Sequence, residues 1–150
     1  MRNQTIWVDF LIYTSLALTL LSIVLFSVKN YSDFQQLKIK LNYMERSLIS
    51  IYNYLSYVSD CYICSEKFTL DIPDNCYMII TNNTVTSICL SYKFYNFTSD
   101  RVYINITKRD NIYYYNFTIY FYNFTSNLTL TGRSCILFNK TGSSITLNKC

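Results

Sequence analysis

The sequence is poor in the residues on which most catalytic and phosphate-binding motifs depend. Its 150 residues include no histidine, one proline and two glycines. Histidine is the commonest general base and a leading nitrogen ligand of zinc. Gly132 and Gly142 stand alone, so no glycine-rich loop can cradle a phosphate. No nucleophile elbow accompanies the many serines. We therefore expect neither an enzyme nor a cofactor.

Runs of like charge are also missing. The net charge is +4, and the basic residues are scattered along the chain. Proteins that bind nucleic acid concentrate Lys and Arg along the path of the phosphate backbone. A nucleic-acid partner is therefore not expected.

What the chain does have is one long apolar segment near its start. Residues 10–28 form 19 positions without a charge, which is about the length that crosses a bilayer core as a helix. We predict a transmembrane signal-anchor over 10–28 and a short cytoplasmic tail over 1–9. The alternative is a signal peptide that is cleaved near Ser27, which would release the rest of the chain.

Charge alone does not orient this anchor, because Lys29, Lys38 and Lys40 follow it and would favour a cytoplasmic C-terminal part. Glycosylation sequons argue the opposite. Residues 61–150 contain 11 Asn and 12 Thr, from which chance predicts roughly 1.5 N-x-T triplets. Seven occur, at Asn82, Asn96, Asn105, Asn116, Asn123, Asn127 and Asn139. We therefore predict a type II membrane glycoprotein with residues 61–150 in the lumen or outside the cell.

Between the anchor and the first cysteine, residues 29–60 predict a helical stalk. Apolar residues alternate spacings of three and four for about three and a half heptads, at Phe34, Leu37, Leu41, Met44, Leu48, Ile51, Leu55 and Val58. We call these eight residues the seam. They favour self-association through a coiled coil. The alternative is one amphipathic helix that packs on its own domain. Tyr52 and Tyr54, beside the seam, are less typical of a coiled coil.

The remainder reads as a small β-rich domain with disulfides. Short alternating runs fill residues 61–150, separated by polar turns such as the one at Pro73. Alternation predicts that Val102, Ile104 and Ile106 point inward, and that Asn116 projects from the wet face of its strand. Six cysteines are confined to this module, and such a set indicates an oxidising compartment. They are Cys61, Cys64, Cys76, Cys89, Cys135 and Cys150. Six cysteines allow 15 pairings, between which the sequence does not choose.

The segments CSEKFTLDIPDNCY and CILFNKTGSSITLNKC resemble the opening hairpin and the closing cysteine pair of C-type lectin-like domains. An anchor, a stalk and then such a domain is also the order in natural-killer-cell receptors and in envelope glycoproteins of poxviruses and other large DNA viruses. The resemblance implies a Cys64–Cys76 pair and a Cys135–Cys150 pair. Cys61 and Cys89 would then pair with each other, or Cys61 would join Cys61 of a second chain. The family's tryptophans, its WIGL-type segment and its calcium-binding triplets are missing, so calcium-dependent sugar binding is not implied. An immunoglobulin-like sandwich is the competing fold, although it usually buries a Trp between its cysteines.

These features predict a cell-surface or viral-envelope glycoprotein that binds a host protein or receptor. Aromatic side chains supply efficient contact area in such interfaces, and the densest set is Tyr113, Tyr114, Tyr115, Tyr120 and Tyr122. Core and sheet packing is the simpler explanation of this set. Alternatives are a structural role in envelope assembly and a secreted immune decoy.

Overall fold

The computed structural model describes residues 2–121 and 124–150. The chain divides into two compact units, Met1–Gln36 and Leu37–Cys150. Its elements are α1 (Arg2–Asp60), β1 (Ile63–Asp71), β2 (Cys76–Thr81), β3 (Thr84–Ser91), β4 (Tyr103–Arg109), β5 (Ile112–Tyr120), β6 (Phe124–Thr125), β7 (Leu128–Leu130), β8 (Arg133–Thr141) and β9 (Ser144–Lys149).

The first unit consists of the N-terminal part of α1. Among the described residues, α1 is the one helix long and apolar enough to cross a membrane, and none of its most apolar window is buried. Thr14, Thr19 and Ser22 each donate a hydroxyl hydrogen bond to the carbonyl four residues earlier, so their polar groups are satisfied within the helix. This part of the chain fits either a membrane anchor or a signal segment.

The second unit contains two sheets. The order of strands is β1-β8-β9-β6 in one sheet and β4-β5-β3-β2-β7 in the other. The alternating runs of the sequence fall on strands, whereas the two-residue β6, which pairs in parallel with β9, was not predicted. The hairpin between β4 and β5 turns at Asp110 and Asn111, which both have positive φ. This conformation suits the tight turns that join twisted antiparallel strands.

All of the seam of α1 except Phe34 lies in the core of this same unit. Its seven residues from Leu37 to Val58 are buried within one chain and belong to one cluster with the inward-facing residues of both sheets. Phe34, at the start of the seam, is half-buried. The coiled-coil interpretation is therefore wrong, because the apolar stripe is already covered by the domain that follows it. The folded unit begins at Leu37 and not at residue 61.

Polar contacts tie this helix to the strands and loops around it. Lys40 Nζ donates to the Asp74 carbonyl at 2.8 Å, and Ser99 Oγ donates to the Glu45 carboxylate. Further along α1, the ring of Tyr54 contacts the ring of Phe68 in a tilted arrangement at 5.2 Å and the ring of Phe138 in an edge-on arrangement at 4.9 Å, both measured between ring centroids. The unusual tyrosine beside the seam thus marks a helix that packs on a sheet.

Each disulfide joins two neighbouring antiparallel strands within one sheet, the first in the five-stranded sheet and the second in the four-stranded sheet. Cys76 of β2 stands opposite Cys89 of β3 and is bonded to it, with 4.1 Å between Cα atoms. Cys135 of β8 is bonded to Cys150, just beyond β9, as the resemblance implied. The implied Cys64–Cys76 pair is wrong because Cys76 is taken by its cross-strand neighbour. A Cys61–Cys89 pair is excluded for the same reason.

The expected opening hairpin is also absent, since β1 pairs with β8 and β2 pairs with β3 and β7. No helix follows Asp60 among the described residues, and Cys89 lies on β3. An immunoglobulin-like sandwich does not fit either. In this unit a helix supplies part of the core, and both disulfides bond strands within a sheet rather than across two sheets.

Candidate functional site: a tyrosine-lined groove beside the sequons

Six of the seven sequons lie on described residues, and Asn123 lies outside them. Asn82 occupies the turn between β2 and β3, Asn96 the loop before β4, and Asn127 the segment before β7; all three are exposed. The other three are on strands, at Asn105, Asn116 and Asn139. None is fully buried, so each of the six side chains reaches the surface on which a glycan must sit.

Asn105 and Asn116 are direct neighbours across β4 and β5. Tyr115 and Phe117, on either side of Asn116, are fully buried. Because side chains alternate along a strand, Asn116 faces the outer surface of the five-stranded sheet, as the alternation predicted. Val102 is buried, and Ile104 and Ile106 pack against the core from the inner side. Two predicted glycans would therefore share one small area of this sheet.

In two sequon side chains the amide oxygen accepts a hydrogen bond. Ser65 Oγ donates to Asn139 Oδ1 at 2.6 Å, and the Ser126 backbone N–H donates to Asn82 Oδ1 at 3.0 Å. A glycan attaches to the amide nitrogen. These contacts therefore orient the side chains and leave the reacting nitrogen unused by them.

A groove of about 620 Å³ opens at the end of β5. Strand β4 begins at Tyr103, opposite Thr118, so β5 extends two residues further than its neighbour. Tyr52 and Asn53 of α1 form part of the groove wall. The wall also includes Arg101, which precedes β4, Tyr103 at the start of β4, and Thr118 and Tyr120 of β5. A second hollow of about 250 Å³ shares Tyr52 and Tyr120 with it.

The tyrosine rings around this groove are accessible. Tyr103 and Tyr120 are each 64% exposed, and Tyr52 is 45% exposed. The ring of Tyr52 lies 5.2 Å from that of the buried Phe121, which holds it against the domain. Arg101 is the one charged residue among the described lining residues. Tyrosine and arginine are the side chains most enriched at the energetic centres of protein interfaces.

The predicted aromatic set divides between core and surface. Tyr115 is fully buried; its hydroxyl accepts from the Tyr95 N–H at 2.6 Å and donates to the Lys93 carbonyl at 3.2 Å. Burial raises the pKa of Tyr115 above its usual value. Tyr113 and Tyr114 are half-buried, and Tyr122 lies outside the described residues. Packing in the core and on the sheet therefore explains much of the set.

Among the described members of that set, Tyr120 alone lines the groove. Sequence reasoning missed the contributions of Tyr52, Arg101 and Tyr103, because residues distant in sequence meet there. The position of Tyr52 beside the seam was the one available signal.

The described residues contain no group of three or more side chains of the kinds that hold a metal ion. Asn75 has a positive φ of 63°, and the Cys76 N–H donates to the Pro73 carbonyl at 3.0 Å. The acidic segment around Pro73 is therefore a turn, as its composition indicated.

Comparison with known proteins adds no relative. No family model, curated protein or solved structure matches this chain.

Proposed function

We propose that this chain is a single-pass type II membrane glycoprotein that presents residues 37–150 outside the cell or virion and binds a host protein through the tyrosine-lined groove. The observation that carries the binding proposal is the groove itself, where three accessible tyrosines and one arginine surround a hollow of about 620 Å³. The placement outside the cell is supported by two disulfides and by sequons at the surface. The lectin-like resemblance contributes one element to this proposal, namely binding to a host protein, and calcium-dependent sugar binding is not proposed.

The glycans would leave the groove as an open patch on a shielded surface. Along β5, Asn116 shares a face with Thr118 and Tyr120 of the groove, which lie about 7 Å and about 14 Å away along the strand. The groove therefore lies beside the glycan pair at Asn105 and Asn116 and not beneath it. A protein partner could contact the tyrosine rings and the Arg101 guanidinium of this patch while the glycans cover the neighbouring surface.

A new glycan inside the groove tests the binding proposal directly. Substituting Arg101→Asn together with Tyr103→Thr creates an N-x-T sequon in the wall. Fluorescent proteoliposomes that carry the full chain are titrated onto a panel of cell types. We expect saturable binding by the unmodified chain, and a loss of at least about tenfold in affinity for the variant, because a glycan excludes a partner from the central contacts.

Two controls match this variant. Lys67→Asn creates a sequon with Phe68 and Thr69 on exposed β1, in the other sheet, and should leave binding unchanged. Tyr103→Thr alone separates the loss of the ring from the added sugar. Both new sequons should gain a glycan on a gel, which checks that the domain is lumenal. If the unmodified chain binds no cell type saturably, the receptor-binding proposal is wrong, and a structural role in envelope assembly becomes the better explanation.

A secreted decoy is a second candidate, and the division of the chain into two units is compatible with it. Cleavage near Ser27 would leave the whole unit that begins at Leu37 intact. A mature N-terminus just beyond Ser27 in the culture medium would establish this form, whereas retention of Met1 in the membrane fraction would exclude it.

A further inference from the structure

The junction between α1 and β1 brings two cysteines together. Cys61 follows the last helical residue, and Cys64 is the second residue of β1. Both are partly exposed, and neither is bonded to another cysteine. Cys64 stands opposite the buried Lys140 of β8 in the register, so it faces the side of the sheet on which the helix ends.

Both residues converge on one carbonyl at the end of the helix. The Cys61 backbone N–H donates to the Val58 oxygen at 3.2 Å, and the Cys64 thiol donates to the same oxygen at 3.9 Å. A hydrogen bond with the Cys61 side chain acts on the pKa of the Cys64 thiol. That hydrogen bond is the main reason why the pKa of Cys64 is raised to about 11.

The surrounding backbone holds this arrangement in place. Lys140 Nζ donates to the Ser59 carbonyl at the helix end, and the Gly142 N–H donates to the Tyr62 carbonyl at 3.2 Å. Strand β1 is paired with β8 along its whole length. Contacts on both sides of the junction therefore fix the chain that carries the two cysteines.

We propose that Cys61 and Cys64 form a third disulfide, which fastens the end of α1 to the first strand of the domain. The proposal rests on the lumenal placement proposed above, because the bond needs an oxidising compartment. A disulfide oxidant, such as glutathione disulfide or a thiol oxidoreductase, supplies the oxidation. One cysteine thiolate attacks the oxidant and releases one of its sulfurs as a thiol.

The second cysteine then displaces the other sulfur of the oxidant from the mixed disulfide. Two protein thiols are oxidised to one S–S bond, the oxidant is reduced to two thiols, and only hydrogen leaves the protein. Cys64 loses the proton that it donates to Val58, but the Cys61 N–H still donates to that carbonyl. The helix end therefore keeps a hydrogen-bond donor after oxidation.

A bond within the chain is favoured over one between chains. A sulfur three residues away is present at an effective concentration in the millimolar range or above, whereas a second copy must first associate. The seam that would have brought two copies together is buried in the domain.

The number of thiols that react with an alkylating reagent tests the inference. The full chain is expressed in mammalian cells, denatured without reductant in the presence of the reagent, treated with N-glycosidase and weighed intact. We expect a monomer without added alkyl groups, and one peptide containing Cys61 and Cys64 that is lighter by two hydrogen atoms than its reduced form.

Other outcomes overturn the inference in distinguishable ways. Two alkyl groups on a monomer would show that Cys61 and Cys64 stay reduced while the proposed placement holds. A dimer that reductant separates would show an interchain bond instead. Alkylation of all six cysteines would refute the lumenal placement together with this disulfide.

Two variants serve as internal controls. Cys61→Ser should expose one thiol, at Cys64, to the reagent. Replacing both Cys61 and Cys64 by serine should expose none, and any alkylation of that variant would contradict the pairing of the other four cysteines.

Discussion

Replacing Leu48 by alanine should lower the free energy of unfolding of the domain by about 3 kcal/mol. Leu48 is fully buried in the seam, where it packs in one cluster with both sheets. Truncating a buried leucine removes its transfer free energy and leaves a cavity, and the combined cost is about 2.7–5.0 kcal/mol. With a urea dependence of about 1.5 kcal/mol per M, the unfolding midpoint should fall by about 2 M.

The matched control is Ile39→Ala, on the same helix but 66% exposed. Its effect should stay within about 0.5 kcal/mol, because a surface truncation leaves no cavity. Both variants and the unmodified full chain are unfolded with urea in detergent micelles and followed by far-ultraviolet circular dichroism. The measurement is repeated over a tenfold range of protein concentration.

Packing within one chain makes the midpoint independent of concentration, whereas a coiled coil between chains would make it rise with concentration. Equal effects of Leu48→Ala and Ile39→Ala would refute the assignment of the seam to the core. A concentration-dependent midpoint would restore the coiled coil.

Three further outcomes follow from the structure. Cys89→Ser should free Cys76 for alkylation and cost about 3 kcal/mol of stability, since the bond joins residues with a sequence separation of 13; if Cys76 stays protected, its partner is another cysteine. A chain that begins at Cys61 should aggregate and show no cooperative unfolding, because the sheets lose the helix that covers them; a cooperative transition would contradict this. The pKa of Tyr54 is raised from 10.0 to about 12, mainly by burial and then by its hydrogen bond to Glu66. Because the folded state favours the protonated hydroxyl of Tyr54, this contribution to stability is complete below pH 10 and is lost as the pH rises towards 12. Glu66→Gln should therefore weaken the decline of the urea midpoint at alkaline pH. An unchanged decline would refute this role of Glu66.

The stalk shows how far a periodic pattern can be interpreted. Spacings of three and four residues place Leu41, Met44 and Leu48 on one face of a helix, and that face is indeed buried. The pattern does not state what covers the face. Two sheets of the same chain and a helix of a second chain are equally consistent with the pattern, because both remove the apolar face from water.

The cysteines illustrate a similar limit. Their number and location predicted disulfides, and Cys135–Cys150 followed from a resemblance. The partner of Cys76 depends on the register of β2 against β3, and a slip of one residue would move its side chain to the other face. No spacing along the chain contains that information.

The sequence by itself determined the local features: an apolar segment of 19 residues, one amphipathic helix, a series of alternating strands and the outward side of Asn116 on its strand. These depend on the geometry of consecutive residues, which is the same in every fold. Only the tertiary structure decided what buries the seam, which cysteines are bonded, and that Tyr52, Tyr103 and Tyr120 meet in one groove. Those outcomes depend on contacts between residues far apart in sequence, and such contacts are set by how the whole core packs.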